Sequence, residues 1–107
     1  MKLLTAEVLN TFELQGDTSQ MEASDIKVIA KFFNPVGAGT WFAVQYYPED
    51  RTFFGYANLG DSRFAELGYF SLDEMESIRL PFGLGIERDI HFGSYSLQDV
   101  INKKGEL

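Results

Sequence analysis

The chain contains no cysteine and a single histidine among its 107 residues. Without cysteine, a disulfide framework, a thiolate metal site and a cysteine nucleophile are all excluded. The lone histidine, His91, severely restricts catalytic triads and histidine metal clusters. Long hydrophobic runs are also missing, because no apolar stretch approaches the roughly 20 residues that a membrane-spanning helix requires.

Basic residues are scarce, with 9 Lys and Arg against 16 Asp and Glu, which gives a net charge of −7. This balance argues against direct binding to nucleic-acid phosphates, which depends on clustered Lys and Arg. It either keeps a small domain soluble or attracts a basic partner. The first residues lack the apolar centre of a signal peptide. We therefore expect a cytoplasmic protein that binds neither nucleic acid nor a membrane directly.

The clearest local pattern lies in residues 66–92, where a short apolar strand leads into Ser71 with Glu74 three residues later. That spacing predicts a capping box at the start of a helix. Pro81, Gly83 and Gly85 then end the helix and turn the chain into a second, half-charged extended segment. The pattern therefore predicts strand, helix, turn and strand in that order.

The remaining chain supplies further strands and two more helices. Thr5 is the expected N-cap of a helix that runs to about residue 14 and is ended by Gly16, and Ser96 caps a short final helix. Residues 16–25 have the composition of a surface loop, which we expect to be the most mobile segment. Strands are predicted over residues 26–33, 40–47, 52–58, 67–70 and 86–92.

This order predicts one α+β domain spanning residues 1–107. We expect a twisted, mostly antiparallel sheet of about five strands, because short turns join antiparallel neighbours, with two or three short helices packed on one face. Aromatic residues crowd the three central strands, and alternation prevents them from all pointing to one side. They either fill a core covered by helices on both faces or leave one face as a partly exposed aromatic surface that includes Trp41, Tyr47 and Phe54.

Several blocks resemble a domain-of-unknown-function family of small acidic proteins carried mainly on bacterial plasmids, integrative elements and phages. They are Trp41 with its aromatic followers, Phe-Phe-Gly at 53–55, Glu-Leu-Gly-Tyr-Phe-Ser-Leu at 66–72 with Glu74, and Gly-Leu-Gly-Ile-Glu-Arg-Asp at 83–89. Many members have proline where this chain has Gly85. The resemblance implies no activity. It implies an accessory protein of a mobile element that acts against host defence or in maintenance of the element.

One segment could carry chemistry, because a carboxylate, a guanidinium and an imidazole come together at residues 87–91. On a strand, Glu87, Asp89 and His91 would share one face and, with Glu66 from a neighbouring strand, could serve a small hydrolase or metal-dependent enzyme. The simpler interpretation is that these carboxylates form ion pairs or accept backbone amides. Short motifs of this kind have high false-positive rates, so catalysis is the alternative hypothesis.

The leading hypothesis is a non-catalytic protein-binding module that needs neither a cofactor nor a metal. Its partner would be another protein with a basic surface, such as a host nucleic-acid-handling or defence protein that the module inhibits. Aromatic side chains would anchor the partner and charged side chains would orient it. The predicted binding residues are Trp41, Tyr47, Phe54, Glu87, Arg88 and Asp89.

Overall fold

Five antiparallel strands form one sheet in the computed structural model, which describes residues 2–107. The strands are β1 (Ala30–Phe33), β2 (Thr40–Tyr47), β3 (Thr52–Asn58), β4 (Glu66–Ser71) and β5 (Glu87–Arg88). Their order across the sheet is β4, β3, β2, β1, β5, and all neighbouring pairs are antiparallel. The α+β prediction is confirmed, with β4 and β5 at the two edges.

Side-chain caps define where the three helices start. They are α1 (Ala6–Gln15), α2 (Leu72–Ser77) and α3 (Leu97–Asn102). The predicted N-caps are confirmed, since Thr5, Ser71 and Ser96 each accept a hydrogen bond from a first-turn backbone N–H, but the capping box predicted at Ser71 lacks its second bond, from the Ser71 N–H to Glu74. The reciprocal bond of a capping box occurs at Ser96, whose N–H donates to the Asp99 carboxylate at 2.9 Å. No helix in residues 2–107 is long and apolar enough to cross a membrane.

Helices cover both faces of the sheet, so the expectation of helices on one face is wrong. On the side that we call the α1 face, α1 and α2 pack on a core that includes Phe12, Phe32, Phe53 and Met75. On the opposite side, the α3 face, α3 packs on a second core of Ile26, Val28, Phe42, Val44, Tyr56, Leu97 and Val100. Two cores form because successive residues of β2 and β3 are apolar and point to opposite faces.

Two predicted strands are shorter in the structure than the alternation of their residues indicates. Of residues 26–33, only β1 forms a strand of the sheet. The ladder breaks just before it, because Ala43 pairs with Ala30 and its carbonyl oxygen also accepts the Ile29 N–H. Lys27 instead forms an isolated bridge with Ser96, just before α3. The predicted strand 86–92 ends after Arg88, where the chain turns.

Candidate functional site

An open groove lies on the α3 face, beyond the part of the sheet that α3 covers. We call it the aromatic groove; its volume is about 280 Å³. The strands β2, β3 and β4 form its floor, and α3 and the segment before β1 form its walls. It is lined by Thr18, Ser19, Met21, Ala23, Ile26, Gln45, Tyr47, Phe54, Leu67, Tyr69, Leu97 and Ile101.

Three rings on neighbouring strands form the floor near the sheet edge. The Tyr69 ring of β4 lies 5.1 Å from the ring of Phe54 and 5.9 Å from that of Tyr47, measured between centroids. Both pairs are tilted, at 58° and 52°, within the range that aromatic pairs prefer. Tyr69 remains 68% exposed and Leu67 46% exposed. The floor is therefore an ordered apolar surface in contact with solvent.

Two carboxylates, Asp17 and Asp50, lie near the Tyr47 end of the groove, which we call its tyrosine end. The pKa of Tyr47 is raised above its ordinary value of 10.0, chiefly by burial and further by Tyr69, Asp17 and Asp50. A hydrogen bond from the Ser19 N–H, 2.9 Å from Asp17 Oδ1, lowers the pKa of Asp17. Asp17 is therefore ionised at neutral pH. Asp17 and Asp50 therefore lie close enough to Tyr47 to act on its pKa, although neither lines the groove, whose lining is mainly apolar.

One wall is the segment of residues 16–25, which the sequence predicts to be the most mobile loop. In the structure it is anchored: the Thr18 N–H and hydroxyl both donate to Gln45 Oε1 at 2.9 Å, and Thr18 is buried. A β-bulge between Ala43 and Gln45 places Gln45 on this face. The amide of Gln15 adds a second tie, because its Nε2 donates to the carbonyl oxygens of Lys27 and Val44.

The predicted binding residues divide between distant parts of the molecule. Tyr47 and Phe54 lie in the aromatic groove. Trp41 is half-buried against the core of the α1 face, on the other side of the sheet. Glu87 and Arg88 form β5 at the far edge, and Asp89 follows them. The structure therefore brings only two of the six predicted residues together with the exposed aromatic surface.

The charged block around β5 is engaged in structural contacts. Asp89 Oδ2 lies 3.7 Å from Lys31 Nζ, and Asp89 Oδ1 accepts from the His91 N–H at 2.9 Å, which closes the turn after β5. Lys31 Nζ also donates to the Leu107 carbonyl oxygen and lies 5.6 Å from the centre of the Phe92 ring. The predicted strand face of Glu87, Asp89 and His91 does not exist, because the strand ends before Asp89.

The residues of the catalytic alternative do not converge. Glu66 is in β4, whereas Glu87, Asp89 and His91 lie at or beyond β5. Four strand spacings separate the two edges, roughly 19 Å at about 4.8 Å per spacing. Within residues 2–107, no group of three His, Cys, Asp or Glu side chains is placed to hold a metal ion.

Sequence reasoning missed Leu67, Tyr69, Met21 and Gln45 as groove residues. Leu67 and Tyr69 alternate around Gly68, a pattern that could have indicated one apolar face of a short strand. Nothing local indicates that this face remains uncovered. That outcome depends on β4 lying at the edge and on α3 packing over the middle of the sheet.

Comparison with known proteins identifies a family. Searches of curated proteins and of solved structures gave no significant match. A family model described as "Protein of unknown function (DUF2958)" matches residues 3–101, which is nearly the whole chain. The match extends from the segment before α1 into α3, so it includes the whole sheet and both walls of the groove. The protein belongs to the DUF2958 family of unknown function.

Proposed function

We propose that the protein is a non-catalytic binding module that holds another protein in the aromatic groove. The observation that carries this proposal is the exposure of Leu67 and Tyr69 beside the rings of Tyr47 and Phe54. Apolar patches in a concave, polar-rimmed surface mark interaction sites more often than isolated exposed side chains do. Tyrosine suits such a site because it combines apolar area with a polar tip.

Charge supports a basic partner. The whole chain carries −7, and the ionised Asp17 and neighbouring Asp50 lie at the tyrosine end of the groove. Such a field attracts a cationic surface and raises its association rate. Clustered Lys and Arg are the common feature of proteins that handle nucleic acids. An inhibitory role toward a host nucleic-acid-handling or defence protein is therefore the specific form of our proposal.

The setting that we propose is the cytoplasm of a bacterial host that carries a mobile element. Support comes from the sequence resemblance to proteins of plasmids, integrative elements and phages. Imitation of DNA by a row of helix carboxylates has less support. Arg51 Nε lies 2.7 Å from Asp73 Oδ1, and Arg51 Nη2 lies 3.5 Å from Glu76 Oε1, so a cation interrupts the acidic surface of α2. We therefore assign recognition to the groove.

A capture experiment from host lysate tests the proposal with matched variants. Tagged wild-type protein is compared with Tyr69→Ser, with Phe82→Ser as a control, and with Glu87→Ala/Asp89→Ala. Phe82 is 92% exposed and does not line the groove, so it controls for the loss of an exposed aromatic ring. Circular dichroism and thermal unfolding establish that each variant is folded.

We expect a stoichiometric protein that wild-type and Phe82→Ser retain, that Tyr69→Ser loses, and that raised salt releases. The loss should be at least about tenfold, as for a central aromatic anchor. A partner that binds wild-type and Tyr69→Ser equally but is lost with Glu87→Ala/Asp89→Ala would move the site to the β5 edge. Capture of no protein at any salt concentration would remove the binding-module proposal.

A further inference from the structure

The outer edge of β4 presents backbone groups beside the aromatic groove. The Leu72 N–H donates to the Arg51 carbonyl oxygen at 2.9 Å, and the β3–β4 register continues from there without a shift. Because hydrogen-bonded and non-hydrogen-bonded pairs alternate in an antiparallel ladder, Glu66, Gly68 and Phe70 bond to β3. The backbone N–H and C=O groups of Leu67 and Tyr69 therefore point away from the sheet.

The same two residues also line the groove. The exposed side chains of Leu67 and Tyr69 lie on the α3 face, whereas Phe70 packs against the core of the α1 face. A strand added to β4 would place every second side chain on the α3 face, next to Leu67 and Tyr69. Backbone pairing and groove contacts are thus compatible in a single extended segment.

The β4 edge lacks the features that usually prevent strand addition. Residues 66–71 contain no proline and no lysine, and Glu66 is their only charged residue. The strand shows no bulge against β3. Short edge strands, bulges, proline and lysine are the devices by which natural sheets avoid unwanted pairing. Their absence here leaves a regular six-residue template.

Gly68 is a further unusual feature of this edge. A Cβ atom at Gly68 would meet nothing within 4 Å, and its φ lies outside the positive range that excludes other residues. Neither space nor backbone conformation within the chain therefore requires glycine. Glycine inside a strand weakens the strand and often marks a place where another backbone or a ligand approaches closely.

We propose that the groove partner contributes an extended segment that adds to β4 as a sixth strand, with apolar side chains in the groove and a Lys or Arg near Tyr47. This rests on the binding function proposed above and specifies its partner chemistry. Backbone hydrogen bonds to Leu67 and Tyr69 would supply affinity, and alternate side chains would supply specificity. Tyr47 pairs with Thr52, and Thr52 pairs with Ser71, so Ser71 is the β4 residue at the Tyr47 end of the groove. The Lys or Arg of the added strand would therefore lie beside Ser71.

Charge also argues against a second copy of this chain as the occupant. Pairing two β4 edges would bring together two proteins of net charge −7 each. It would also place two Glu66 carboxylates at the same interface, and like charges across an interface are unfavourable. A basic segment of a different protein satisfies the same backbone groups and also neutralises Asp17 and Asp50.

The first test is selection from displayed random peptides of about ten residues, the upper length of an ordinary strand. The bait is the wild-type protein, and Phe82→Ser serves as a second bait. We expect enrichment of β-branched or aromatic residues at every second position, with Lys or Arg near one end. Enrichment at helical spacing, enrichment of acidic residues or no enrichment would overturn the proposal. If the enriched peptides have helical spacing and no longer bind Tyr69→Ser, strand addition would be wrong but the groove would remain the proposed binding site.

The second test follows amide hydrogen exchange in the complex with the most enriched peptide. We expect exchange at Leu67 and Tyr69 to slow by at least about tenfold, because both amides become hydrogen-bonded. Tyr69→Pro should weaken binding by about tenfold or more beyond Tyr69→Ser, since both variants lose the ring and only proline also removes the outward N–H that β3 does not use. Tyr69→Phe keeps the ring and the N–H and should bind nearly as wild-type. If the peptide binds without slowing exchange at Leu67 and Tyr69, strand addition would be wrong, although the groove could still be the binding site. If the protein alone sediments as a dimer that pairs through β4, the choice of a different protein as partner would be wrong.

Discussion

The two edges of the sheet differ in what they expose. At the β5 edge, the strand has two residues, and its neighbour Asp89 contacts Lys31 and closes a turn onto His91. At the β4 edge, the strand has six residues and exposes Leu67 and Tyr69 to solvent. At the edge rich in charged residues, Asp89 is held by contacts within the chain, whereas the β4 edge exposes apolar side chains.

This difference teaches that residue chemistry alone is a poor guide to a binding surface. A carboxylate, a guanidinium and an imidazole within five positions suggest catalysis, yet Asp89 is explained by contacts that hold a turn and a strand. Tyr69 carries no reactive group, but its position leaves it exposed in the aromatic groove. Position relative to the sheet edge and to α3 decides which residues remain accessible.

The largest contrast expected involves Gly55 in β3 and Gly68 in β4, which lie directly opposite each other. Gly55→Ala should destabilise the protein by about 3 kcal/mol, because the added Cβ would lie 1.8 Å from the Phe42 carbonyl oxygen. Gly68→Ala should change stability by less than about 0.5 kcal/mol, since its Cβ enters open space. Urea unfolding of both variants gives the comparison. Equal losses would mean that β4 is as constrained as the interior of the sheet.

The stability of the protein should depend on Lys31 of β1, which contacts Asp89 next to β5. Lys31→Ala should cost about 2 kcal/mol, because it breaks a half-buried ion pair with Asp89 and a charged hydrogen bond to the Leu107 carbonyl oxygen. Urea unfolding measures the change. Arg63→Ala is the control, since its ion pair with Asp61 is exposed to solvent and should contribute far less to stability. Similar losses in both variants would show that the Lys31 contacts do not stabilise the β5 edge.

The position of residues 16–25, which form one wall of the groove, should depend on the side-chain amide of Gln45. Gln45→Leu should destabilise the protein by about 1 to 2 kcal/mol, because it leaves the Thr18 N–H and hydroxyl without their acceptor. Hydrogen exchange should quicken in residues 16–25. Gln98→Leu removes an exposed bond to Asn102 and should cost less than about 0.5 kcal/mol. Unchanged exchange in residues 16–25 would show that other contacts hold this wall.

Local chemistry made the helix starts predictable from sequence. Thr5, Ser71 and Ser96 each sit three residues before the N–H that they accept, so the caps need no information from the rest of the fold. The hairpin strands β2 and β3 were also predicted with their observed limits. In contrast, residues 26–28 alternate like a strand but bond to residues 95–97 at the start of α3, which only the tertiary structure decides.

The groove could not be predicted because it depends on strand order and on incomplete coverage. Tyr47 and Phe54 were identified as candidate anchors from their chemistry, but Tyr69 joins them only because β4 pairs with β3 in one register. A shift of one residue would turn Tyr69 to the opposite face. Glu66 and Glu87, predicted to act together, lie at opposite edges because β1 and β2 fall between β3 and β5.

The smallest expected effect concerns the acidic end of the groove, on which the choice of a basic partner rests. Asp17→Asn and Asp50→Asn should each lower the pKa of Tyr47 toward its ordinary value of 10.0, because each removes a charge that opposes the phenolate. The raised pKa also means that Tyr47 stabilises the fold below pH 10.0 and that this contribution is lost as pH rises further. An NMR titration of the Tyr47 ring measures the first effect, with Asp25→Asn as control because Asp25 is not among the groups that raise the pKa of Tyr47. If neither Asp17→Asn nor Asp50→Asn moves the titration, the tyrosine end carries no effective negative charge, and the β4 edge would have no electrostatic reason to prefer a basic strand.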